Sequence, residues 1–463
     1  MKNDAVKRWA VLFIAALVMM AGYVFWDIVS PMSTILKSPY SEGGMAWTSA
    51  EYGFYAGSYS IFNIFLLMLF FGGIILDKCG IRITGLLATG SMLLGAFVNY
   101  YAISAISPSL QLIPCFTLWG FIPSPIKVQV LVASMGFALF GMGCDITGIT
   151  VSKIITKWFT GHELASAMGI QVAMARLGTA SALSFSPLIA SAIGISASVL
   201  VGVIILIIGF VLFTFYCFLD KRYDAGTRCA HLGQRDSEST KERAGEETFR
   251  FHDFLRVVRN PVFWLIVILC VFYYSSIRPF MKFATDIMVN TYGVSDTNAG
   301  WIVSAIPYGA IVLSPLFGAL YDKIGRGTLL MLIGCIILTL SHVCLAFPFS
   351  HSSAYALTVM FFEGVAFSLV PAALWPSIPK IVPLKQLGTA YSITYYIQNI
   401  GLMLVPVWVG HVVDACTATS GMIDYTRPML IFICFGVAAI MVSAMLFVWD
   451  HKYHYGLEEK NIK

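Results

Sequence analysis

Charged side chains interrupt two long apolar stretches of this sequence. Asp145 follows Gly141-Met-Gly-Cys, and Arg176 follows Gln171-Val-Ala-Met-Ala. Each lies about 15 residues from a turn near Phe159, so at 1.5 Å per residue both lie roughly 20 Å from that turn. We therefore predict an ion pair that a zwitterionic ligand opens, with Arg176 binding a carboxylate and Asp145 an ammonium group. A permanent structural ion pair is the alternative.

A second set of charges lies in the second half of the chain. Arg278, Lys282 and Asp286 are spaced by four residues and so share one face of a helix. We predict that Arg278 and Lys282 face a substrate cavity, although Lys282 and Asp286 could instead extend to a water interface. Asp27 lies in the outer half of the first apolar stretch. We predict that it contacts Arg278 to close a gate, with a local role at the helix end as the alternative.

Several uncharged or isolated polar residues are weaker candidates. Glu363 lies near one end of its apolar stretch, where we expect water to reach it. Aromatic side chains with a polar group could line a cavity or simply pack in the core, and these are Tyr23, Tyr55, Tyr59, Trp375 and Tyr395.

An internal repeat relates the two halves of the chain. The segment His162–Ala167 aligns with Lys385–Ala390, and with that offset Arg176 corresponds to Asn399. The first half therefore carries the charge and the second half its neutral counterpart. We predict that Gln398 and Asn399 bind the uncharged part of a ligand, while polar helix packing is the alternative.

The helices that position these residues must cross a membrane. Hydrophobic residues make up 58% of the chain and charged residues 11%, and the mean hydropathy is +0.81. A water-soluble fold cannot bury this composition. A span needs about 20 apolar residues, and the sequence predicts twelve such segments, near 10–30, 54–76, 82–104, 128–150, 164–190, 197–219, 262–286, 299–320, 328–347, 354–379, 387–412 and 428–449.

The predicted helices fall into two groups of six. Residues 220–260 form the only long polar segment, and their mixed charges with few apolar residues cannot build a core. We predict bundles over residues 1–219 and 261–463, joined by a flexible linker over 220–260. The predicted fold class is thus an all-α membrane protein with twelve transmembrane helices in two six-helix pseudo-symmetric bundles.

A short pattern occurs twice, once in each predicted bundle. It reads Gly73-Ile-Ile-Leu-Asp77-Lys-Cys-Gly-Ile-Arg82 and then Gly318-Ala-Leu-Tyr-Asp322-Lys-Ile-Gly-Arg326. Glycine permits a tight turn and close helix contact, and the aspartates can accept hydrogen bonds from a helix N-terminus or pair with the arginines. We predict that Asp77, Arg82, Asp322 and Arg326 have a gating role.

The distribution of basic residues predicts the orientation. Most of the 29 Lys and Arg residues fall on the side of both termini and the linker, which the positive-inside rule assigns to the cytoplasm. The predicted outer loops lack Asn-x-Ser/Thr triplets. We therefore predict a multi-pass protein of the bacterial inner membrane with both termini cytoplasmic.

Other classes of chemistry have no basis in the sequence. There is no phosphate-binding P-loop, HExxH motif or nucleophile elbow, and the ten cysteines are scattered. We predict no enzymatic activity, cofactor, metal site or nucleic-acid partner. The expected partners of a monomeric protein are a small-molecule substrate, the lipid bilayer and protons, because Asp27, Asp145 or Glu363 could each carry one.

The duplicated pattern is similar to the signature of the major facilitator superfamily. Within it, the chain resembles the branch of major facilitator superfamily domain-containing protein 1, the animal lysosomal dipeptide transporter, through the segments Gly141–Asp145, Lys157–Leu164, Gln171–Gly178, Ala373–Pro376, Gln386–Tyr391 and Ile397–Gly401. The resemblance implies a major facilitator fold and an alternating-access carrier of short peptides, with positions 145 and 176 contacting the peptide termini. The chain departs from the branch at Asp145, where the branch has glutamate, and at Arg278, where it has an apolar residue.

The sequence thus favours a secondary-active or facilitative transporter of a small zwitterionic solute, most simply a di- or tripeptide. One alternative is an organic-anion carrier or exchanger in which Arg176 and Arg278 clamp the carboxylates of a mono- or dicarboxylate. Another is a transport-inactive membrane receptor.

Overall fold

The protein is described by a computed structural model. The described residues are 2–114, 117, 120–159, 163–232, 259–383, 386–420 and 423–460. Most of the predicted linker over 220–260 lies outside this set. We number the membrane spans 1 to 12 in chain order and use these numbers below.

Ten of the spans are single long helices. They are span 1 (Lys2–Asp27), span 4 (Val128–Phe159), span 5 (Leu164–Ile193), span 6 (Ile195–Leu232), span 7 (Pro261–Tyr292), span 8 (Asp296–Ile324), span 9 (Gly327–Ala346), span 10 (Ser353–Ile381), span 11 (Leu387–Ser420) and span 12 (Thr426–Tyr453). Together with Lys78–Ala105, which forms span 3, they are the eleven helices of the described chain that are long and apolar enough to cross a bilayer. The predicted fold class is confirmed.

Span 2 was predicted to be one helix over 54–76, but in the structure it is broken into several helices. It consists of the helices Ser49–Ser58 and Ile61–Phe65 and the beginning of Met68–Ala105, which continues into span 3 across Gly80. Leu67 has a left-handed conformation with φ of 51°. Thr48 and Glu51 form a capping box at the first helix. The first break, between Ser58 and Ile61, is held by a hydrogen bond from Tyr59 to span 4 and one from Ser60 to span 11. Local sequence patterns do not reveal these distant partners.

Smaller elements complete the connections between spans. After span 1 come the 3-10 helix Ser30–Met32, the short helix Ser33–Lys37 and the 3-10 helix Tyr40–Glu42. Between spans 3 and 4, the strands Gln111–Leu112 and Ile126–Lys127 pair antiparallel.

The most extensive contacts between the bundles in the described chain are those of span 5 with span 8 and of span 2 with span 11. Glycine permits the second contact: a Cβ atom on Gly53 would lie 2.3 Å from the carbonyl oxygen of Pro406, and one on Gly410 would lie 2.2 Å from that of Ser49. By contrast, a Cβ atom on Gly73 or Gly318 would meet nothing within 4 Å. The close helix contact predicted at those two glycines is therefore wrong.

Successive spans run in alternate directions, so both termini and the linker ends lie on one side, here called the linker side. The opposite side is called the distal side. Residues 28–48, which connect spans 1 and 2, and residues 293–295, between spans 7 and 8, lie on the distal side.

Candidate functional site

Asp145 on span 4 is held by neutral donors. The hydroxyl of Tyr59 donates to Oδ1 over 2.7 Å, and the amide of Asn63 donates to Oδ2 over 2.6 Å. Both donors come from the broken part of span 2. The predicted ion pair with Arg176 is wrong, because span 2 brings two hydrogen-bond donors to the carboxylate while the arginine extends toward another helix.

Arg176 on span 5 lies against an aromatic ring of the opposite bundle. Its Cζ atom is 4.0 Å from the ring centroid of Phe367, a fully buried residue of span 10. Its Nε and Nη1 atoms are buried and have no hydrogen-bond partner among the described residues. A cation–π contact stabilises the charge but accepts no N–H hydrogen bond. The guanidinium is thus left able to bind an anion.

Arg278 on span 7 shares this aromatic ring. Its Cζ atom lies 5.1 Å from the Phe367 centroid and 4.9 Å from that of Trp26. Within the described chain, neither Arg278 nor Arg176 has a carboxylate within 4.0 Å. Two guanidinium groups from opposite bundles therefore meet at one phenyl ring, with no carboxylate of the described residues paired to either.

Lys282 lies one turn further toward the distal side than Arg278. It binds Asp27, the partner that was predicted for Arg278. Its Nζ atom donates to Asp27 Oδ1 over 2.6 Å, to the Trp26 carbonyl over 2.8 Å and to Ser30 Oγ over 3.0 Å. The predicted Asp27–Arg278 contact is wrong because Asp27 and Lys282 lie at the same depth. Asp27 does join the two bundles, but Lys282 is occupied by this contact and is not available to a ligand.

A second layer of contacts lies beyond this pair on the distal side. Lys37 forms an ion pair with Asp286, which also accepts from Thr34 Oγ1 over 3.2 Å. At the start of span 2, the backbone N–H groups of residues 49 and 50 each donate over 2.8 Å to the carboxylate of Asp414 on span 11. Lys282 and Asp286 are buried rather than extended to water as the alternative prediction had it. We call all these bonds, including Asp27–Lys282, the distal latch.

A cavity lies directly beneath the latch, between the bundles. Trp26, Tyr59 and Ser60 line it from the first bundle, and Arg278 and Lys282 from the second. The Trp26 ring stacks on the Tyr59 ring with centroids 4.4 Å apart and planes 2° apart. One continuous aromatic wall thus connects the tyrosine that binds Asp145 with the ring that contacts Arg278.

The aromatic and amide residues of the second bundle lie on the same interface. Trp375 donates to the Tyr274 hydroxyl over 3.1 Å and stacks on Tyr395 at 4.6 Å. Asn399 accepts from Ser60 over 2.6 Å and donates to the Tyr395 carbonyl over 3.0 Å. Asn399 therefore joins the bundles through polar helix packing, the alternative to ligand binding.

Gln398 is also bonded within the second bundle. Its Oε1 atom accepts from the thiol of Cys270 over 3.5 Å. Its predicted ligand-binding role stays a prediction.

The duplicated loop pattern is described only in part. Arg82 donates from Nε to Asp220 over 2.7 Å, and Lys157 donates to the same carboxylate over 2.7 Å. The Arg326 side chain is exposed, while its backbone N–H donates to the Glu458 carbonyl over 3.0 Å. Asp322 is half-buried, and the side chain of Asp77 lies outside the described set. Their gating role stays a prediction.

The comparison with known families decides the class of this fold. The sequence model of the Major Facilitator Superfamily matches this chain twice, over residues 11–283 and over residues 272–460. The chain belongs to this superfamily. It is a multi-pass membrane transporter and not an enzyme.

Similar proteins within the superfamily include curated transporters. The chain is 27% identical over 405 residues to the lysosomal dipeptide transporter MFSD1 of Danio rerio, covering 85% of this chain and 77% of that protein. It is 27% identical over 358 residues to MFSD1 of Homo sapiens, covering 76% of this chain and 69% of the other. The predicted resemblance to this branch is confirmed.

Solved structures of other superfamily members share the fold. A bacterial homologue of the human lysosomal transporter Spinster, in an inward-facing and unoccupied conformation, has a TM-score of 0.69 at 15% identity over 98% of each chain. A mutant of the peptide transporter POT has a TM-score of 0.64 at 13% identity over 98% of this chain and 95% of its own. A mutant of the nucleoside transporter NupG also matches, with a TM-score of 0.69 at 13% identity over 94% of this chain and 100% of its own. At these identities the likeness establishes the fold alone.

A buried acid in the second bundle departs from its prediction. Glu363 is fully buried, and its Oε1 atom lies 3.2 Å from Nε2 of the equally buried His342. The expectation that water reaches Glu363 is therefore wrong. His342 Nδ1 is 3.2 Å from Ser276 Oγ, which donates to the Phe432 carbonyl.

Three site residues were missed by reasoning from the sequence, namely Trp26, Asn63 and Phe367. Asn63 could have been found, because it lies four residues from Tyr59 in an otherwise apolar stretch. Trp26 and Phe367 carry no such signal, since the chain has 34 Phe and 10 Trp residues. Only the arginines that contact their rings distinguish them.

Proposed function

We propose that this transporter moves di- and tripeptides across the membrane by alternating access. The observation that carries the proposal is the separation of charge at the bundle interface. Asp145 is held by neutral donors, whereas Arg176 and Arg278 have no carboxylate within 4.0 Å in the described chain. A short peptide carries an ammonium at one end and a carboxylate at the other, which matches an acid and a base that do not neutralise each other.

The peptide carboxylate binds Arg176 in this proposal. A guanidinium can hold a carboxylate through two parallel N–H bonds along one of its edges. Each such edge of Arg176 includes Nε or Nη1, and neither atom has an acceptor among the described residues. Charge-assisted hydrogen bonds of this kind contribute about 1.5–3 kcal/mol each. The ammonium group binds Asp145, whose carboxylate has further lone pairs besides those used by Tyr59 and Asn63.

The two bundles then exchange access around the bound peptide. The distal latch holds the distal halves together, and its bonds must open to admit or release a ligand on that side. On the linker side, Asp77, Arg82, Asp322 and Arg326 control opening. In this scheme Asp27 acts in the distal gate through Lys282 rather than through Arg278.

An organic-anion carrier is the second candidate function. Two guanidiniums on one phenyl ring would suit a mono- or dicarboxylate as well as a peptide. The candidates differ at Asp145, because an anion without an ammonium group gains nothing from a carboxylate in the site.

We also propose the orientation and the surroundings. Both termini and the linker face the cytoplasm, as the clustering of Lys and Arg on that side supports. The membrane is the bacterial inner membrane, and the protein acts as a monomer. Protons are the proposed coupled ions, carried by Asp145 when no ammonium group binds it.

Thermal stabilisation of the purified protein tests the proposal, because a ligand that binds only the folded state raises the unfolding temperature. The panel contains Ala-Ala, free alanine and succinate, each with the parent protein and Arg176→Ala. A shift with Ala-Ala that Arg176→Ala abolishes supports the peptide carrier. A shift with succinate alone supports the anion carrier instead, and flux of the ligand into proteoliposomes then separates a transporter from a receptor.

A further inference from the structure

We infer that Arg278 makes this site selective for peptides whose C-terminal residue is Asp or Glu. The inference rests on the proposed peptide transport and names the class of peptide. Such a ligand carries one ammonium group and two carboxylates.

The charges at the interface between the bundles carry the first step. Asp27 is paired with Lys282 and Lys37 with Asp286, and Glu363 lies beside His342 outside the cavity. The latch carboxylate of Asp414 is held by two backbone N–H groups near the distal end of span 11. Deeper, in the described central site, the groups left without an opposite charge are Asp145, Arg176 and Arg278, whose sum is one positive charge. A peptide with neutral side chains has no net charge, so it leaves one guanidinium uncompensated. A peptide with one acidic side chain balances the site.

The geometry of the two arginines carries the second step. Both Cζ atoms lie close to the ring centroid of Phe367, at 4.0 and 5.1 Å, so the two guanidiniums are within about 9 Å of each other. The two carboxylates of a C-terminal Asp or Glu residue are separated by a short methylene chain. One residue can therefore present a carboxylate to each arginine, whereas an acidic residue at the N-terminus places its side chain nearer Asp145.

The surroundings of Arg278 carry the third step. It lines the cavity beneath the latch, and its described contacts are the faces of Trp26 and Phe367. Aromatic faces orient a guanidinium without accepting its N–H groups in plane, which leaves its donors for a ligand. Arg278 belongs to the second bundle and Arg176 to the first, so an acidic C-terminal residue would also link the bundles.

The experiment compares matched dipeptides by binding to the purified full-length protein at neutral pH. Ala-Glu and Ala-Gln differ only in the side-chain charge, and Glu-Ala moves that charge to the N-terminus. We expect Ala-Glu to bind at least about tenfold more tightly than Ala-Gln or Glu-Ala, which corresponds to about 1.4 kcal/mol. In Arg278→Gln the ratio of the two affinities falls to near one, and Arg278→Lys keeps part of it.

The control variant is Lys221→Gln, which removes a positive charge from an exposed position on span 6 and should retain the full ratio. Equal binding of Ala-Glu and Ala-Gln by the parent protein would overturn the inference and leave peptide transport intact. So would a preference for Ala-Glu that persists in Arg278→Gln. Free glutamate binding as tightly as Ala-Glu would also overturn it. A folded protein that binds none of the dipeptides would overturn the proposed function itself.

Discussion

The distal latch and the central site use the same kinds of side chain in opposite ways. In the latch, Lys282 lies 2.6 Å from Asp27, and Lys37 pairs with Asp286. In the central site one turn deeper, Arg176 and Arg278 lie on aromatic rings, and Asp145 accepts from a hydroxyl and an amide. Paired charges close an interface, whereas charges held apart by neutral groups remain available to a ligand.

The comparison is tested most strongly at the latch. Replacing Lys282 by Met leaves Asp27 as a buried charge without its partner, and breaking a buried ion pair in this way costs about 3–5 kcal/mol. We expect a marked fall in the unfolding temperature of the empty protein. The double variant Asp27→Asn with Lys282→Met should recover most of this loss, because no lone charge remains. A Lys282→Met protein as stable as its parent would contradict the role of the latch.

At Arg176 we expect the opposite effect on the stability of the empty protein. Replacing it by Met removes buried N–H groups that have no acceptor in the part of the chain that the structure describes, and such unsatisfied groups cost about 1–3 kcal/mol. The empty protein should therefore unfold at the same or a higher temperature, while affinity for Ala-Ala falls about 100-fold, a loss of about 2.7 kcal/mol. Calorimetry and ligand titration of one preparation measure both. Loss of stability like that of Lys282→Met would remove the distinction between the two regions.

Asp145 separates the two candidate functions with a smaller effect. Changing Asp145 to Asn keeps the shape and the contact with Tyr59 but removes the charge that attracts an ammonium group. We expect uptake of Ala-Ala to fall about tenfold or more, corresponding to about 1.4 kcal/mol. Uptake of succinate by the same variant serves as the comparison. Enhanced succinate uptake with unchanged Ala-Ala uptake would favour the anion carrier.

The smallest expected change concerns the hydroxyl that holds Asp145. Tyr59→Phe keeps the stacking on Trp26 but removes one hydrogen bond to the carboxylate, an interaction of about 1.5–3 kcal/mol when one partner is charged. The remaining bond from Asn63 and a water molecule can replace part of it, so we expect peptide affinity to fall only a few-fold. We expect Asn63→Ala to lower peptide affinity by a similar factor. If either variant lost as much peptide transport as Asp145→Asn, the smaller effect expected for these donors would be contradicted.

Prediction from the sequence was most accurate for features that depend on short stretches of the chain, such as the positions of the membrane spans. Apolar length placed eleven spans close to their observed helices, and the duplicated loop pattern indicated two related halves. Span 2 was the exception, because its first break is held by bonds from Tyr59 to span 4 and from Ser60 to span 11. No local pattern contains those partners.

Partner choice at the site could not be predicted in the same way. The expected pairs Asp145–Arg176 and Asp27–Arg278 were each placed by counting residues along helices. A helical turn separates Lys282 from Arg278, so a small difference in depth changes which of them meets Asp27. Glu363 was expected near water because the sequence does not reveal that His342 packs beside it.

The amino-acid sequence by itself determined that the chain crosses a membrane repeatedly, that it consists of two related halves and that Arg176, Asp145 and Arg278 lie within the apolar spans. These follow from composition, segment length and the cost of a charge in hydrocarbon, which act locally along the chain. Only the tertiary structure decided which charges are paired. The bond from Lys282 to Trp26 joins residues 256 positions apart, and contacts of that kind depend on how the two bundles pack together.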